Sequence, residues 1–327
     1  MNIYYYVPEQ NRPSWGAGMI YYQVWLLQKN NFNAHVLHAK KPYKLAFIEV
    51  DLSFQYMDNK ALKLEKEDFL IIPEFYADLP VLRKYNCRKI AFVQNAHYIY
   101  DGLKIGQNYE DLGFERVFYY MAHLQKILQQ LTSLPLYETP PFVAPYFYNN
   151  NINGERRRTI IMYPKFDSRD YEILKRVLRD KLGLKEKTGL KKWFSKKGDW
   201  EIVELKNRSH TEVAEEMKKG TFFISLNTTE SFNAAVPEAM AAGCINICFD
   251  GVGPADYLEN NKNAFVFPNN HIFPMIEKII DLVNNYDETR EQLNFMRMNA
   301  RQTADLYTID KLESKLIAYF KEIDSVV

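Results

Sequence analysis

The stretch Phe222–Asp250, FFISLNTTESFNAAVPEAMAAGCINICFD, constrains this chain more than any other. Phe222–Leu226 has the length and the aromatic and β-branched content of a buried strand. Asn227, Thr228 and Thr229 break it, and a short helix follows with Pro237 in its first turn and Gly243 just past its end. Cys244–Phe249 then reads as a second buried strand. Two carboxylates punctuate the unit, Glu230 in the loop and Glu238 at the helix start, with seven residues between them. Such a pair, at the carboxyl end of a strand and the tip of a helix, stands where an open α/β sheet places its ligand. Acidic residues in a first helical turn also suit the macrodipole, so the pair alone admits a purely structural reading.

The rest of the chain extends the same alternation. Asn2–Val7, Ala34–Ala39, Ala46–Val50, Asp68–Pro73, Lys89–Gln94 and Arg116–Tyr120 read as strands. Met19–Gln28, Leu79–Tyr85 and Ala122–Leu131 read as helices between them, the arrangement of a parallel sheet with helices on both faces. Residues 8–18 and 98–114 read as loops. The prolines of Leu134–Ile152 forbid continuous helix or central strand there, and a linker is expected at about 145–157. The second half repeats the alternation with strands Thr159–Met162, Trp200–Leu205 and Ala264–Phe267. Its helices are expected at Tyr171–Lys181, at Thr211–Lys218 behind the capping box Ser209–Glu212, and at Ile272–Asn284, Glu288–Thr303 and Ile309–Asp324.

Composition excludes several classes of function. Lys and Arg number 42 against 41 Asp and Glu, so no bulk positive charge exists for nucleic acid to follow. Three cysteines, Cys87, Cys244 and Cys248, suit a reducing compartment without a disulfide framework. No apolar run reaches the ~20 residues of a membrane span, and MNIYYYVPEQ enters a strand at once. A cytoplasmic protein is expected. Residues 185–198 form a basic loop carrying Trp193 and Phe194, suited either to solvent or to weak contact with the inner membrane face. Gly16-Ala17-Gly18 lacks the third glycine of a dinucleotide fingerprint, since position 21 is Tyr, and the second strand ends in Lys40-Lys41 where an acidic residue would hold a ribose.

The string Glu230-Ser231-Phe232-Asn233-(x)4-Glu238-Ala239-Met240-Ala241-Ala242-Gly243 resembles the donor-site signature of retaining, family-4-like glycosyltransferases of the GT-B fold. Ser231 and Asn233 stand where that signature usually has glycine. The resemblance implies two Rossmann-like parallel-sheet domains facing a cleft: residues 1–150 on the acceptor side, 151–308 binding the nucleotide-sugar donor, and a helix at 309–327 crossing back to the first domain. It implies that Glu238 holds the ribose hydroxyls, that Glu230 faces the donor sugar near the reacting carbon, and that Ser231, Phe232 and Asn233 line the donor. Lys165 and Arg169, on the loop after the first strand of the second half, would hold the diphosphate; cations at a helix start are otherwise disfavoured, and negative charge builds on that leaving group as the glycosidic bond breaks. Gly16 and Gly18 would approach the transferred sugar. Trp15, Gln94 and Asn95 would lie on the acceptor side, and His97 near the reacting carbon as a second catalytic candidate.

No Asp-x-Asp occurs in the chain, so a reaction without metal or other cofactor is expected. The implied partners are a nucleotide-diphosphate sugar and a glycan or lipid-linked acceptor of the kind used in polysaccharide biosynthesis. Two alternatives stay open: a GT-B-fold sugar-nucleotide epimerase or phosphorylase, and a catalytically silent nucleotide-sugar-binding subunit.

Overall fold

The computed structural model describes residues 1–9, 14–41, 43–45, 50–164, 169–183, 185–186, 192–194 and 200–324. The chain divides into two compact units, Met1–Pro141 with Ile309–Val327, and Phe142–Thr308. The division falls before Phe142, not at 150, because the 3-10 turn Pro145–Phe147 packs on two helices of the second unit.

The first unit is a seven-stranded, wholly parallel sheet in the order β3-β2-β1-β4-β5-β6-β7. Its strands are β1 (Ile3–Tyr6), β2 (Ala34–His38), β3 (Phe54–Tyr56), β4 (Phe69–Pro73), β5 (Arg88–Val93), β6 (Arg116–Tyr119) and β7 (Leu136–Glu138). Every residue of β1 and β4 is buried, as two covered faces demand. Of the expected strand Ala46–Val50, residues 46–49 lie outside the described residues, and β3 takes the sheet edge. The helices are α1 (Trp15–Lys29), α2 (Pro80–Arg83), α3 (Ala96–Gly102) and α4 (Ala122–Leu131).

Two expectations fail here for one reason. Helix α1 begins at Trp15 instead of Met19, and α3 occupies part of the expected loop 98–114. Both stretches carry glycine, which argues against helix from propensity alone. In each case a close tertiary contact leaves little room for a side chain, most severely at Gly102, which meets backbone. A Cβ on Gly16 would lie 2.8 Å from Gln94 Oε1, and one on Gly102 would lie 1.8 Å from the Glu74 carbonyl oxygen.

The second sheet runs β14-β13-β12-β8-β11-β10-β9. Its strands are β8 (Thr159–Met162), β9 (Lys185–Glu186), β10 (Lys192–Phe194), β11 (Glu201–Glu204), β12 (Phe222–Ser225), β13 (Ile245–Phe249) and β14 (Ala264–Phe267). The five strands β14, β13, β12, β8 and β11 are parallel. Strands β10 and β9 add on antiparallel, so part of the expected basic loop 185–198 is an edge hairpin that pairs with β11. Helices α5 (Arg169–Leu182), α6 (His210–Lys219), α7 (Ala235–Ala242), α8 (Ile272–Asn284) and α9 (Arg290–Ala304) cover this sheet. Helix α10 (Ile309–Asp324) belongs to the first unit and packs on α1.

Helix α7 is held at its far end by two arginines, one of them buried. Arg297, only 2% exposed, donates through Nε to the Gly243 carbonyl at 2.7 Å. Arg156 donates to the carbonyls of Met217, Gly220 and Ala242 at 2.6–3.1 Å. The last carbonyls of α6 and α7 thus meet guanidinium groups, which also suit the negative ends of their dipoles. Gly243 takes the left-handed conformation (φ 86°) that turns the chain out of α7 into β13.

Candidate active site

In the second unit the first strand, β8, lies between β11 and β12, so strand order reverses there. The crevice at the carboxyl ends of β8 and β12 is the topological switch point, where open α/β sheets bind ligands. Three chain segments end on it: the loop after β8, the loop Leu226–Ala234 after β12, and α7 with Glu238 in its first turn.

The β12–α7 loop is built from asparagines. The Asn227 side chain accepts from the backbone N–H groups of Thr229 (3.1 Å) and Glu230 (3.4 Å), turning the chain as it leaves the strand. Asn233 sits at φ 50°, in the left-handed region. Its amide donates to Ser225 Oγ at 3.0 Å and to the Asn227 carbonyl at 3.4 Å. A position where the resembling signature has glycine therefore keeps the backbone conformation glycine would adopt, because Asn tolerates that region and gains local hydrogen bonds. Ser231 is buried, and its carbonyl lies where a Cβ on Gly253 would be 1.6 Å away. Phe232 is buried beside Tyr257 and Tyr307, and its carbonyl accepts from the Tyr257 hydroxyl at 2.7 Å. The side chains of Ser231, Phe232 and Asn233 thus face the interior, and the half-buried Glu230 is the carboxylate the loop offers.

Glu238 is 4% exposed. Its Oε1 lies 2.9 Å from His210 Nε2, and His210 Nδ1 lies 2.6 Å from the Tyr146 hydroxyl. The His210 ring also packs edge-on against Phe147, centroid to centroid 4.8 Å. Burial, and then the Glu238 charge, raise the phenol of Tyr163, just past β8, above the ordinary range. His210 and Tyr146 are not among the site residues the sequence singles out. One is the residue after a capping serine, and the other lies in a proline-rich run. Arg169, the first residue of α5, is exposed, and Lys165 lies outside the described residues.

The first unit has a switch point of its own, since β1 lies between β2 and β4. Of the residues expected there, Gln94 and Asn95 meet Glu74, which the sequence did not single out. Glu74 is 1% exposed, and its Oε1 accepts from the backbone N–H groups of Gln94 (3.0 Å) and Asn95 (2.7 Å). Burial outweighs those bonds and pushes the Glu74 carboxyl up to about 8. The Gln94 amide donates to the Gly16 carbonyl at 3.0 Å and to the Tyr120 hydroxyl at 2.6 Å. Gln94 therefore ties the ends of three strands together. Asn95 caps α3 by accepting from the His97 backbone at 3.0 Å, and the His97 side chain is exposed. Gly18 is buried within the first turn of α1, and Trp15 packs near Tyr22.

Chemically, the second unit presents a carboxylate of fixed orientation, Glu238, and a second, more accessible one, Glu230, at one strand end. Carboxylates so placed are acceptors for paired hydroxyl groups. Among the described residues no group of three or more His, Cys, Asp or Glu side chains is placed to hold a metal ion. No described helix is long and apolar enough to cross a membrane.

Residues 182–303 match the family described as glycosyl transferases group 1. Over 63 residues the chain is 36% identical to a poly(ribitol-phosphate) alpha-N-acetylglucosaminyltransferase of Staphylococcus aureus, a match covering 19% of this chain and 13% of that protein. The fold is similar to that of sucrose-phosphate synthase from Thermosynechococcus elongatus, with TM-score 0.70, 8% identity and all of both chains covered. It is also similar to S. aureus TarM bound to fondaparinux, alpha-GlcNAc-glycerol and UDP, with TM-score 0.55 and 15% identity over 79% of this chain. The chain spans about half of TarM, 56% of its length. The architecture of this chain is the GT-B glycosyltransferase fold, and its second unit carries the match to glycosyl transferases group 1.

Proposed function

We propose that the chain is a glycosyltransferase that moves a sugar from a nucleotide-diphosphate donor to a glycan or lipid-linked acceptor. The observation that carries this reading is the placement of Glu230 and Glu238 at the β8/β12 switch point, one on the loop and one on the helix tip. The group 1 family match over the same region supports it, as does the UDP bound to TarM. In this reading Glu238 accepts from the ribose hydroxyls and Glu230 from hydroxyls of the donor sugar. Arg169, with Lys165 beside it in sequence, meets the charge that develops on the departing diphosphate, as fixed cations do without a metal. The acceptor oxygen bonds to the anomeric carbon as the bond to diphosphate breaks. Its proton passes to a phosphate oxygen on the same face, which retains configuration. Trp15, Gln94, Asn95 and His97 belong to the acceptor side.

The silent-subunit alternative drew on the missing glycines at 231 and 233. The left-handed Asn233 weakens it, since the backbone course that glycine permits is kept. A thermal-shift panel of UDP-, GDP-, ADP- and dTDP-linked sugars, followed by a donor hydrolysis and transfer assay, tests the proposal. Stabilisation by one nucleotide class together with turnover is expected. No stabilisation by any donor, or binding without hydrolysis or transfer, would overturn it.

A further inference from the structure

We propose that His210, backed by Tyr146, is a positioning residue that fixes the Glu238 carboxylate for recognition of a nucleotide ribose. The inference rests on the reading of Glu238 given above and adds the residues that make it selective. Among the described residues, His210 is the hydrogen-bond partner of the Glu238 side chain, at 2.9 Å. An ionised carboxylate only accepts, so His210 Nε2 carries the hydrogen. In the neutral ring Nδ1 is then the acceptor, and the Tyr146 hydroxyl 2.6 Å away donates to it. The chain of donors therefore runs one way, Tyr146 to His210 to Glu238, with each group using the role its neighbour leaves it.

The ring cannot swing to another partner without losing both bonds and its edge-on packing on Phe147 at 4.8 Å. Tyr146 and Phe147 lie in the turn Pro145–Phe147, which packs against both α6 and α7. His210 and Glu238 stand in the first turns of those two helices, so the turn, the ring and the carboxylate form one braced set. A glutamate side chain has three rotatable bonds and otherwise samples several orientations. With Oε1 anchored by His210, the plane of the carboxylate is set and Oε2 is presented in a constant direction. A pair of vicinal hydroxyls needs such an acceptor, because both of its hydrogen bonds must form together. A 2′-deoxyribose offers only one of the two.

The test uses the full chain and titration calorimetry with UDP, GDP and ADP, then with the 2′-deoxy form of whichever binds. The wild type is expected to favour the ribonucleotide about tenfold or more, as fits one hydrogen bond to a charged group. His210→Phe, which keeps an aromatic ring against Phe147, is expected to weaken the ribonucleotide about tenfold and leave the deoxynucleotide almost unchanged. His210→Gln, whose amide still donates toward Glu238, should recover most of the preference. Equal losses for both sugars, a preference that survives His210→Phe, or a His210→Gln variant no better than His210→Phe would each overturn the proposal while leaving the donor site itself standing. A wild-type chain that binds no ribonucleotide, or prefers the deoxy form, would remove this inference; the former outcome would also remove the reading on which it rests.

Discussion

Glu74 should make the stability of the first unit fall as pH rises, in a way that one substitution removes. Its carboxyl is 1% exposed and titrates at about 8 in the folded chain, against 4.5 for an ordinary glutamate. Between those values the folded protein holds a proton that the unfolded chain has released. A group of this kind stabilises fully below the unfolded value, and the contribution is lost as pH climbs to the folded one. Each pH unit in the window is worth ~1.4 kcal/mol, so the loss from pH 4.5 to pH 8 approaches roughly 4–5 kcal/mol for this group alone. Glu74→Gln keeps an oxygen for the Gln94 and Asn95 backbone donors but cannot ionise. Urea unfolding at pH 5 and pH 8, followed through amide hydrogen exchange in β4 and β5, reads the first unit apart from the second. The wild type should lose several kcal/mol more than Glu74→Gln across that interval, on the order set by the window above. The absolute stability of the variant is not the test, because its buried amide also needs an acceptor. Parallel pH curves for the two proteins would refute the reasoning and place a charged, well-solvated carboxylate at position 74.

Other perturbations address the second unit. Glu230→Gln should lower transferase turnover by about a hundredfold or more, on the scale of a lost transition-state contact, with an unchanged melting temperature; near-normal turnover would remove Glu230 from the site. Gly253→Ala would drive a Cβ to 1.6 Å from the Ser231 carbonyl, backbone against backbone. It should cost about 2 kcal/mol or more of stability, seen as a fall in the melting temperature of the second unit. Asn233→Ala should destabilise by about 1–2 kcal/mol through its left-handed φ and two lost hydrogen bonds. Asn233→Gly should restore part of that, and a glycine variant no more stable than the alanine one would show that φ is not the constraint.

Much of the fold was legible because it is local. Phe222–Ser225, Ala235–Ala242 and Ile245–Phe249 fall within a residue or two of the expected strand, helix and strand. A fully buried parallel strand must be continuously apolar, and a short helix must be punctuated at its ends. The misreadings came where a distant contact overrode local preference. Glycines at 16 and 102 read as loop, yet each lies in a helix, at a point where Gln94 or Glu74 leaves little room for a side chain. The hairpin of β9 and β10 exists because β11 offers it an unpaired edge, and nothing in a run of lysines announces that.

The candidate site divides along the same line. The sequence by itself determined that two carboxylates, Glu230 and Glu238, stand at a strand end and a helix tip. Residue spacing and helix punctuation specify that much. Only the tertiary structure decided what each carboxylate meets. His210 is 28 positions from Glu238, and Tyr146 is 64 from His210, and packing of α6 and α7 on the turn Pro145–Phe147 brings the three into line. Burial did the same for Glu74, turning an unremarked acid after a strand into a proton-holding clasp. Periodicity reports which face of an element is apolar; which polar groups share a buried space depends on how distant elements pack, and a linear pattern does not encode that directly.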